Sequence, residues 1–420
     1  MIVSGMSGNE VFCLSEKGFL PGELVVGNSV CSLGLVGGLG AWGRGITGGE
    51  IDGVTRLISE GRHQAIDRME KEAQKQGADG VTSVVSELRT LASYTEFLAQ
   101  GSGVHGASPS GRFFSTAASG MELYCHVDAG YQPMRFAMGN VAYALGLGRG
   151  LMGSLRTMAR GEVREFSEMY NHIRHLALAR LRAEAAGIGA NAVVDVRVRI
   201  LPYGPGAVEL LMTGTASHHP VLSAGAVKPD EVRTSELTGE ELWNLARLGY
   251  VPLQLVMATS VVSLGVVGGI GTAFRGMARG ELPELTTLIY EARNNCLDKL
   301  REEAARFGAE RVIGNKLSIR ELGPGLIEVM AIGTSVTRAT TMYPTTPLLI
   351  PQAIIVDRQD TEGDPLSRSD PNVMVAAMAN TQRAAGGAGL LIRLIVIPVA
   401  VFLMFCLGLI PVVLRLISEP

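Results

Sequence analysis

Histidine and cysteine are the side chains in this 420-residue sequence that could bind a soft metal or act as nucleophiles. His172 and His175 are three residues apart and would share one face of a helix, whereas His218 and His219 are adjacent. A soft-metal site needs thiolates or several converging imidazoles, and no cysteine or carboxylate recurs beside either pair. The five cysteines form no Cys-x-x-Cys pair and favour a reducing compartment. We therefore expect neither a metal nor a cofactor.

A glycine-rich segment at 34–49 superficially resembles a nucleotide-binding loop. It lacks the Gly-Lys-Ser/Thr ending that a phosphate-binding loop needs. Apolar side chains among such glycines, Trp42 here and Phe274 in a related later segment, favour contact with another subunit or a membrane. No Ser-His-Asp, Cys-His or paired-carboxylate set recurs along the chain, so we predict that the protein is not an enzyme.

Arginine and glutamate recur at matching positions of three similar stretches of sequence. The matching residues are Arg62, Arg174 and Arg293, and Glu72, Glu184 and Glu303. One interpretation is that each arginine binds a carboxylate or carbonyl of a neighbour and fixes an oligomer interface. The alternative is a set of solvated helix charges of small energetic value. The sequence leaves both interpretations open.

Composition excludes several classes of protein. The chain has 37 basic and 40 acidic residues, a net charge of −3, whereas nucleic-acid-binding proteins usually present a basic surface. Hydrophobic residues make up 47% of the chain, which is enough for buried cores and excludes global disorder. The 53 glycines and the low charged fraction of 18% are unusual. Two features of the sequence account for these values: a repeat that contains many of the glycines, and an apolar C-terminal segment.

The repeat consists of three stretches that align without gaps over about 70 residues. They begin at Ser7, Ser119 and Thr238, which are 112 and 119 residues apart. Each contains Gly-aromatic-x-Pro, then a Gly-Glu pair and a Gly-Ala pair, so we infer tandem homologous domains. We expect the three repeats at 1–119, 120–238 and 239–340, a linker at 341–389 and a membrane segment at 390–416.

Each repeat predicts the same order of elements. The Ser/Thr-x-x-Glu start is a capping box and predicts a short helix, and the glycine before the aromatic residue can end it in the left-handed conformation. An apolar strand follows, then a long amphipathic helix from about Glu50, Glu162 or Glu281. Two strands close the repeat, and the alternation of apolar and charged residues at 194–200 predicts a half-buried strand. The expected class is α+β, with three tandem β-α-β-β domains, each led by a short helix, plus one C-terminal transmembrane helix.

The C-terminal segment from Leu394 to Leu414 contains 21 residues without a charge, among them Phe402 and Phe405. As a helix it would be about 31 Å long, enough to cross the hydrocarbon core of a bilayer. The alternative is a buried core helix, but soluble helices rarely run this long without a polar face. We expect a single-pass anchor in the cell membrane, with the bulk of the chain in the cytoplasm.

The core pattern of the repeats resembles the YbjQ-like family, small bacterial domains described as heavy-metal-binding. The residues that carry the resemblance are Ala177, Ala185, 189–193 and 214–216 in the second copy, 290–293, 308–309, Val312 and 333–334 in the third, and 77–81 and 101–102 in the first. The resemblance implies homo-oligomeric rings, typically pentamers. Single-domain members lack a membrane tail, so the tail and the triplication depart from the family pattern.

Two functions are compatible with these features. The first is a membrane-tethered structural protein that self-assembles through its three repeats into a homo-oligomeric ring, stack or shell, with the lipid bilayer as a second partner and no nucleic acid. The second is a membrane-anchored module that senses a metal or small ligand. The first is favoured, because no set of metal donors recurs in the three copies. The expected oligomer contacts are Arg62, Arg174, Arg293, Trp42 and Phe274.

Overall fold

The computed structural model describes most of the three repeats and a short segment after them. The described residues are 1–32, 49–91, 94–106, 111–144, 160–203, 207–223, 227–264, 283–323, 326–339 and 342–354. They form a mixed α+β fold of three repeated β-rich domains, and six α-helices lie within these ranges. The α+β class predicted from the sequence is confirmed.

In each repeat, a short helix is followed by a strand, a long helix and two further strands. The first repeat contains α1 (Gly8–Ser15), β1 (Leu20–Ser32), β2 (Gly49–Glu50), α2 (Asp52–Lys75), β3 (Gly80–Leu91), β4 (Tyr94–His105) and β5 (Phe114–Ser115). The second contains α3 (Gly120–Asp128), β6 (Gln132–Ala144), β7 (Gly161–Glu162), α4 (Arg164–Gly187), β8 (Ala192–Pro202), β9 (Ala207–His218) and β10 (Arg233–Thr234). The third contains α5 (Gly239–Arg247), β11 (Tyr250–Ser263), α6 (Pro283–Arg306), β12 (Arg311–Gly323) and β13 (Leu326–Arg338), and a 3-10 turn follows at Pro351–Ala353.

The short helix of every repeat begins with the predicted capping box. The hydroxyl of Ser7 accepts a hydrogen bond of 3.3 Å from the Glu10 amide, and the Glu10 carboxylate accepts one of 2.7 Å from the Ser7 amide. Ser119 and Thr238 make the same reciprocal bonds. Gly18 follows α1 with a φ of +79°, a conformation that a residue without a Cβ adopts without strain.

Two of the three sheets include a strand of the preceding repeat. Their strand orders are β1-β4-β3-β5, β10-β8-β9-β6-β2 and β12-β13-β11-β7. The short strand β2 of the first repeat therefore lies at the edge of the second sheet, and β7 of the second repeat lies at the edge of the third. The first and second repeats thus each contribute a strand to the sheet of the repeat that follows.

The long helix of each repeat packs across its own sheet. In α2 the side chains of Ile58, Ala65 and Met69 are fully buried and lie along one stripe of the helix. The backbones approach most closely at glycine, because a Cβ on Gly27 would lie 2.1 Å from the carbonyl oxygen of Ala65. Gly139 holds the same relation to α4. Glycine at this point of the strand lets the helix lie directly on the sheet.

The long helices begin later than the sequence predicts. The first residues of α2 and α4 are Asp52 and Arg164, two residues after the expected starts at about Glu50 and Glu162. The Gly-Glu pairs form β2 and β7 instead, because Gly49 and its counterpart Gly161 have positive φ values of 106° and 133° and direct the chain into the next sheet. The expected start at 281 lies outside the described residues.

The predicted alternation along 194–200 is also interrupted. Asp195 has a φ of +54°, and the pairing of β8 with β9 shifts between Val194 and Arg197. This is a β-bulge, which buries Asp195 together with its valine neighbours. Ser83 and Gly314 mark the same bulge in the other two repeats.

Candidate functional site: the junctions between repeats

Backbone hydrogen bonds join each repeat to the next at the start of the long helix. The amide of Ile51 donates to the carbonyl of Ala142 over 2.8 Å, which extends the pairing of β2 with β6. In the second junction the amide of Val163 donates to the carbonyl of Val261 over 2.7 Å. The edge of β6 and the edge of β11 are therefore covered by the preceding repeat.

A buried ion pair lies at the centre of the first junction. The Arg62 guanidinium on α2 binds the Glu209 carboxylate on β9 through two parallel bonds of 3.0 Å and 2.6 Å. Both side chains are fully buried. Ser86 accepts a further hydrogen bond from Arg62, and Asn140 donates one to Glu209. The bidentate geometry and the additional bonds satisfy charges that would be costly to bury alone.

The second junction has a buried arginine–glutamate pair at the same place, with different additional partners. Arg174 on α4 pairs with Glu328 on β13 and also donates to the hydroxyl of Thr259. A second guanidinium, from Arg320, binds the other oxygen of Glu328 at 2.6 Å. Burial opposes ionisation of Glu328, but the two arginines hold its pKa below the usual value. The carboxylate therefore stays charged inside the junction.

Each junction has one further ion pair at the edge of its buried pair. Arg180 on α4 binds Glu50 at 2.7 Å, and Lys299 on α6 binds Glu162 at 2.6 Å. In both cases the carboxylate belongs to the repeat before the cation. These pairs are partly exposed, so they contribute orientation more than stability.

A histidine of one long helix faces a glutamate of the next. His63 contacts Glu184 at 3.1 Å, and this hydrogen bond raises the pKa of His63. His175 lies 3.6 Å from Glu303, where burial lowers the pKa of the imidazole and raises that of Glu303 to about 7. Among the described residues, neither pair is part of a larger group of metal ligands.

The short helices meet at Asp128, at the end of α3. Its carboxylate accepts hydrogen bonds from Lys17 of the first repeat at 2.6 Å and from the indole of Trp243 of the third repeat at 2.7 Å. The amide and hydroxyl of Thr346 bind the same carboxylate at 3.1 Å and 2.7 Å. Burial by itself would raise the pKa of Asp128. The hydrogen bonds from these donors outweigh burial, so the pKa of Asp128 lies below its usual value. One carboxylate therefore ties three repeats to the segment at 342–354.

The described residues do not fit a metal. No group of three or more histidine, cysteine, aspartate or glutamate side chains in the described ranges is placed to hold one. Cys13, Cys125 and Cys296 are buried free thiols, and burial raises their pKa values, which disfavours the thiolate that binds soft metals. His126 is also buried, and burial lowers its pKa to about 4.

The interface residues predicted from the sequence have different positions in the structure. Arg62 and Arg174 are buried between repeats of the same chain. Arg293, the third member of the set, is partly exposed and stacks on the ring of Tyr290 at 4.3 Å. Trp42 and Phe274 lie outside the described residues. Their contact with another chain stays a prediction.

The predicted membrane segment lies outside the described residues as well, including Leu394, Phe402, Phe405 and Leu414. Within the described ranges, no helix has both the length and the apolar character needed to cross a bilayer.

Sequence reasoning missed the acidic half of each junction. Glu209 and Glu328 each precede a glycine landmark, Gly214 or Gly333, by five residues, and Glu96 precedes Gly101 in the same way. An alignment of the three copies shows this constant spacing. It identifies one glutamate per repeat as the counterpart of the recurring arginine.

The sequence pattern of the family described as "Putative heavy-metal-binding" (YbjQ) matches residues 22–106, 131–219 and 250–339. The three matches cover more than half of the chain and one lies in each repeat. This chain belongs to the YbjQ family. The match adds a family description, while the described residues of this chain provide no donor set that corresponds to it.

Proteins of several other organisms are similar to parts of this chain. A Mycobacterium tuberculosis protein named encapsulin nanocompartment protein Rv1762c is 28% identical over 227 residues, 53% of this chain and 85% of the relative. A UPF0145 protein of Thermosipho melanesiensis is 37% identical over 79 residues, 19% of this chain and 73% of the relative. A UPF0145 protein of Methanoregula boonei is 40% identical over 81 residues, 19% of this chain and 68% of the relative.

Proposed function

We propose that this chain is a structural subunit that self-assembles into a homo-oligomer, and that it is not an enzyme. The proposal rests on the structure of the two junctions between repeats. Each combines strand addition, a buried arginine–glutamate pair and peripheral ion pairs, the elements of a specific interface between subunits. Each junction also joins unlike faces, the long helix of one repeat and the first strand of the next. A head-to-tail contact of this type forms a ring if the rotation between repeats closes and an open helical assembly if it does not.

The name of the Mycobacterium tuberculosis relative supports an assembly function. That protein is named for a nanocompartment, and the similarity extends over 85% of its length. At 28% identity the similarity supports the architecture of a shared assembly module rather than a shared partner. Our proposal for this chain is therefore a ring, stack or shell of repeats.

We further propose that residues 394–414 tether the assembly to the cell membrane, with the repeats in the cytoplasm. The support is the uncharged stretch of 21 residues in the sequence. Alkaline carbonate extraction of membranes from producing cells tests the tether, because it releases peripheral proteins. We expect the chain to stay in the membrane pellet, and we expect F402R/F405R to release it. Extraction of the unmodified chain into the supernatant would contradict the tether.

Size-exclusion chromatography with light scattering on the detergent-solubilised full chain tests the assembly. The detergent contribution is subtracted by refractive index and absorbance. We expect a protein mass of several times 44.4 kDa that persists on dilution. A monodisperse 44.4 kDa species at all concentrations would contradict the proposal.

A further inference from the structure

The outward side of β1 is exposed where its counterparts are covered. Leu24, Val26 and Val30 are 45%, 41% and 55% exposed. The matching residues of β6 are buried under α2, and those of β11 are buried under α4. They are Phe136, Met138 and Ala142 in β6 and Leu255, Met257 and Val261 in β11. The first repeat thus presents an apolar stripe that the other two repeats bury.

The acidic partner of a junction lies beside this stripe. Glu96 on β4 pairs with Val30 across the sheet, as Glu209 pairs with Ala142 in the second sheet. It is partly exposed, and among the described residues its hydrogen-bond donor is the side-chain amide of Asn28 at 3.4 Å. Asn28 is itself the counterpart of Asn140, which donates to Glu209. Glu96 therefore has the setting of a junction glutamate without its arginine.

The basic partner lies in the last of the three repeats. Arg293 on α6 makes no ion pair with any described residue, whereas its counterparts Arg62 and Arg174 are paired and buried. Ile289 and Leu297, one turn to either side of it, are partly exposed. The matching side chains are buried in the other two long helices; they are Ile58 and Ile66 in α2 and Tyr170 and Leu178 in α4. The third repeat thus presents the half of a junction that the first repeat lacks.

We infer that α6 of one chain docks on β1 of a second copy of this chain, with Arg293 bound to Glu96 of that second copy. The inference rests on the proposed function and specifies its interface. The two faces are complementary in charge, and both continue the pattern of the junctions inside the chain. The contact is heterologous, since each copy that uses its α6 leaves its own β1 free for another copy. Successive chains would therefore form a ring or an open helical stack.

Charge reversal in the full-length, detergent-solubilised chain tests the pair. R293E and E96R each place like charges together, and we expect either to reduce the assembled mass to that of one chain. R293E/E96R restores an opposite pair and should restore the assembly. The control is R301E on the same helix, which makes the same change of charge at an exposed residue whose partner, Asp298, is local. Unchanged assembly of both single variants would overturn the inference.

Cross-linking tests the contact even where a charge variant folds poorly. Asn294 is the counterpart of His63 and His175, and Glu72 is the counterpart of Glu184 and Glu303. We expect N294C/E72C, treated with a short bifunctional thiol reagent, to give products at multiples of the chain mass. H63C/E184C is the matched control, because its contact of 3.1 Å lies within one chain and should give an internal link only. An N294C/E72C chain that stays at monomer mass while the wild type assembles would overturn the inference.

Failure of the inference is distinguishable from failure of the proposed function. If the wild-type chain does not assemble at all, the proposed function fails and the inference fails with it. If the wild type assembles while the reversed charges and the cross-link have no effect, self-assembly stands and another surface forms the interface.

Discussion

The Arg62 guanidinium and the Glu209 carboxylate are 2.6 Å apart, fully buried, and belong to different repeats of the same chain. They are 147 residues apart in the sequence. The same pairing joins Arg174 to Glu328 in the next junction. A charge pair that recurs between successive domains, with each charge on a different structural element, sets both the order and the orientation in which the domains dock.

Removal of one charge from the first junction should destabilise the protein strongly. R62M leaves Glu209 buried without its cation, and we expect a loss of about 3–5 kcal/mol in the free energy of unfolding. R62M/E209L removes both charges and should recover most of that loss. Urea unfolding followed by circular dichroism measures the effect. R89A, at an exposed pair with Glu87, is the control and should change stability by less than about 1 kcal/mol.

The glycine at the contact of helix and strand should not tolerate a side chain. A Cβ at position 139 would lie 2.1 Å from the carbonyl oxygen of Ala177 and 2.5 Å from the amide of Leu181. We expect G139A to destabilise the protein by about 3 kcal/mol, because α4 must move off the sheet. G187A, where a Cβ meets nothing within 4 Å, is the matched control. Equal thermal unfolding midpoints for the two variants would contradict the described packing.

Loss of the Asp128 carboxylate should release the segment at 342–354. D128A removes the acceptor for Lys17, Trp243 and Thr346 together. We expect faster hydrogen–deuterium exchange at the amide of Thr346 and in the peptide around it, measured by mass spectrometry. D298A, at an exposed carboxylate on α6, should leave that peptide unchanged. Protection of the peptide in D128A equal to that in the wild type would show that other contacts hold the segment.

Burial of His126 should make stability depend on pH. Burial, assisted by the positive charge of Arg197 and opposed by the negative charge of Asp195, lowers its pKa to about 4. The unfolded chain, with a pKa near 6.5, then binds more protons than the folded chain between pH 6.5 and pH 4. Stability due to this residue is therefore present above pH 6.5 and is lost as the pH falls toward 4, by about 2–3 kcal/mol. H126F should lack that loss, so thermal unfolding of both proteins at pH 7 and pH 4.5 checks the prediction, and an identical drop in both would contradict it.

The elements of the fold that depend on local sequence were predictable. The capping boxes at Ser7, Ser119 and Thr238 and the left-handed Gly18 follow from interactions within a few residues. The threefold repeat was visible because its landmarks keep their spacing. The recurrence of Arg62, Arg174 and Arg293 predicted contacts between subunits, whereas Arg62 and Arg174 pair with glutamates of the next repeat in the same chain.

Features that depend on contacts between repeats were not predictable in the same way. The Gly-Glu pair at Gly49 has the appearance of a helix start, and its role as a strand appears only when β6 lies beside it. The bulge at Asp195 is set by pairing with β9 and by the packing of Val194 and Val196. The glutamates of the junctions had a detectable spacing, but their pairing with an arginine joins elements far apart in the chain.

Electron microscopy of the detergent-solubilised full-length chain tests self-assembly through head-to-tail junctions most directly. The account predicts particles in which repeats follow one another at a constant angular step, across chain boundaries as well as within chains. The number of repeats in a closed particle would then be a multiple of three. Isolated particles of three repeats, or pairs of chains joined through the same face of each, would contradict it.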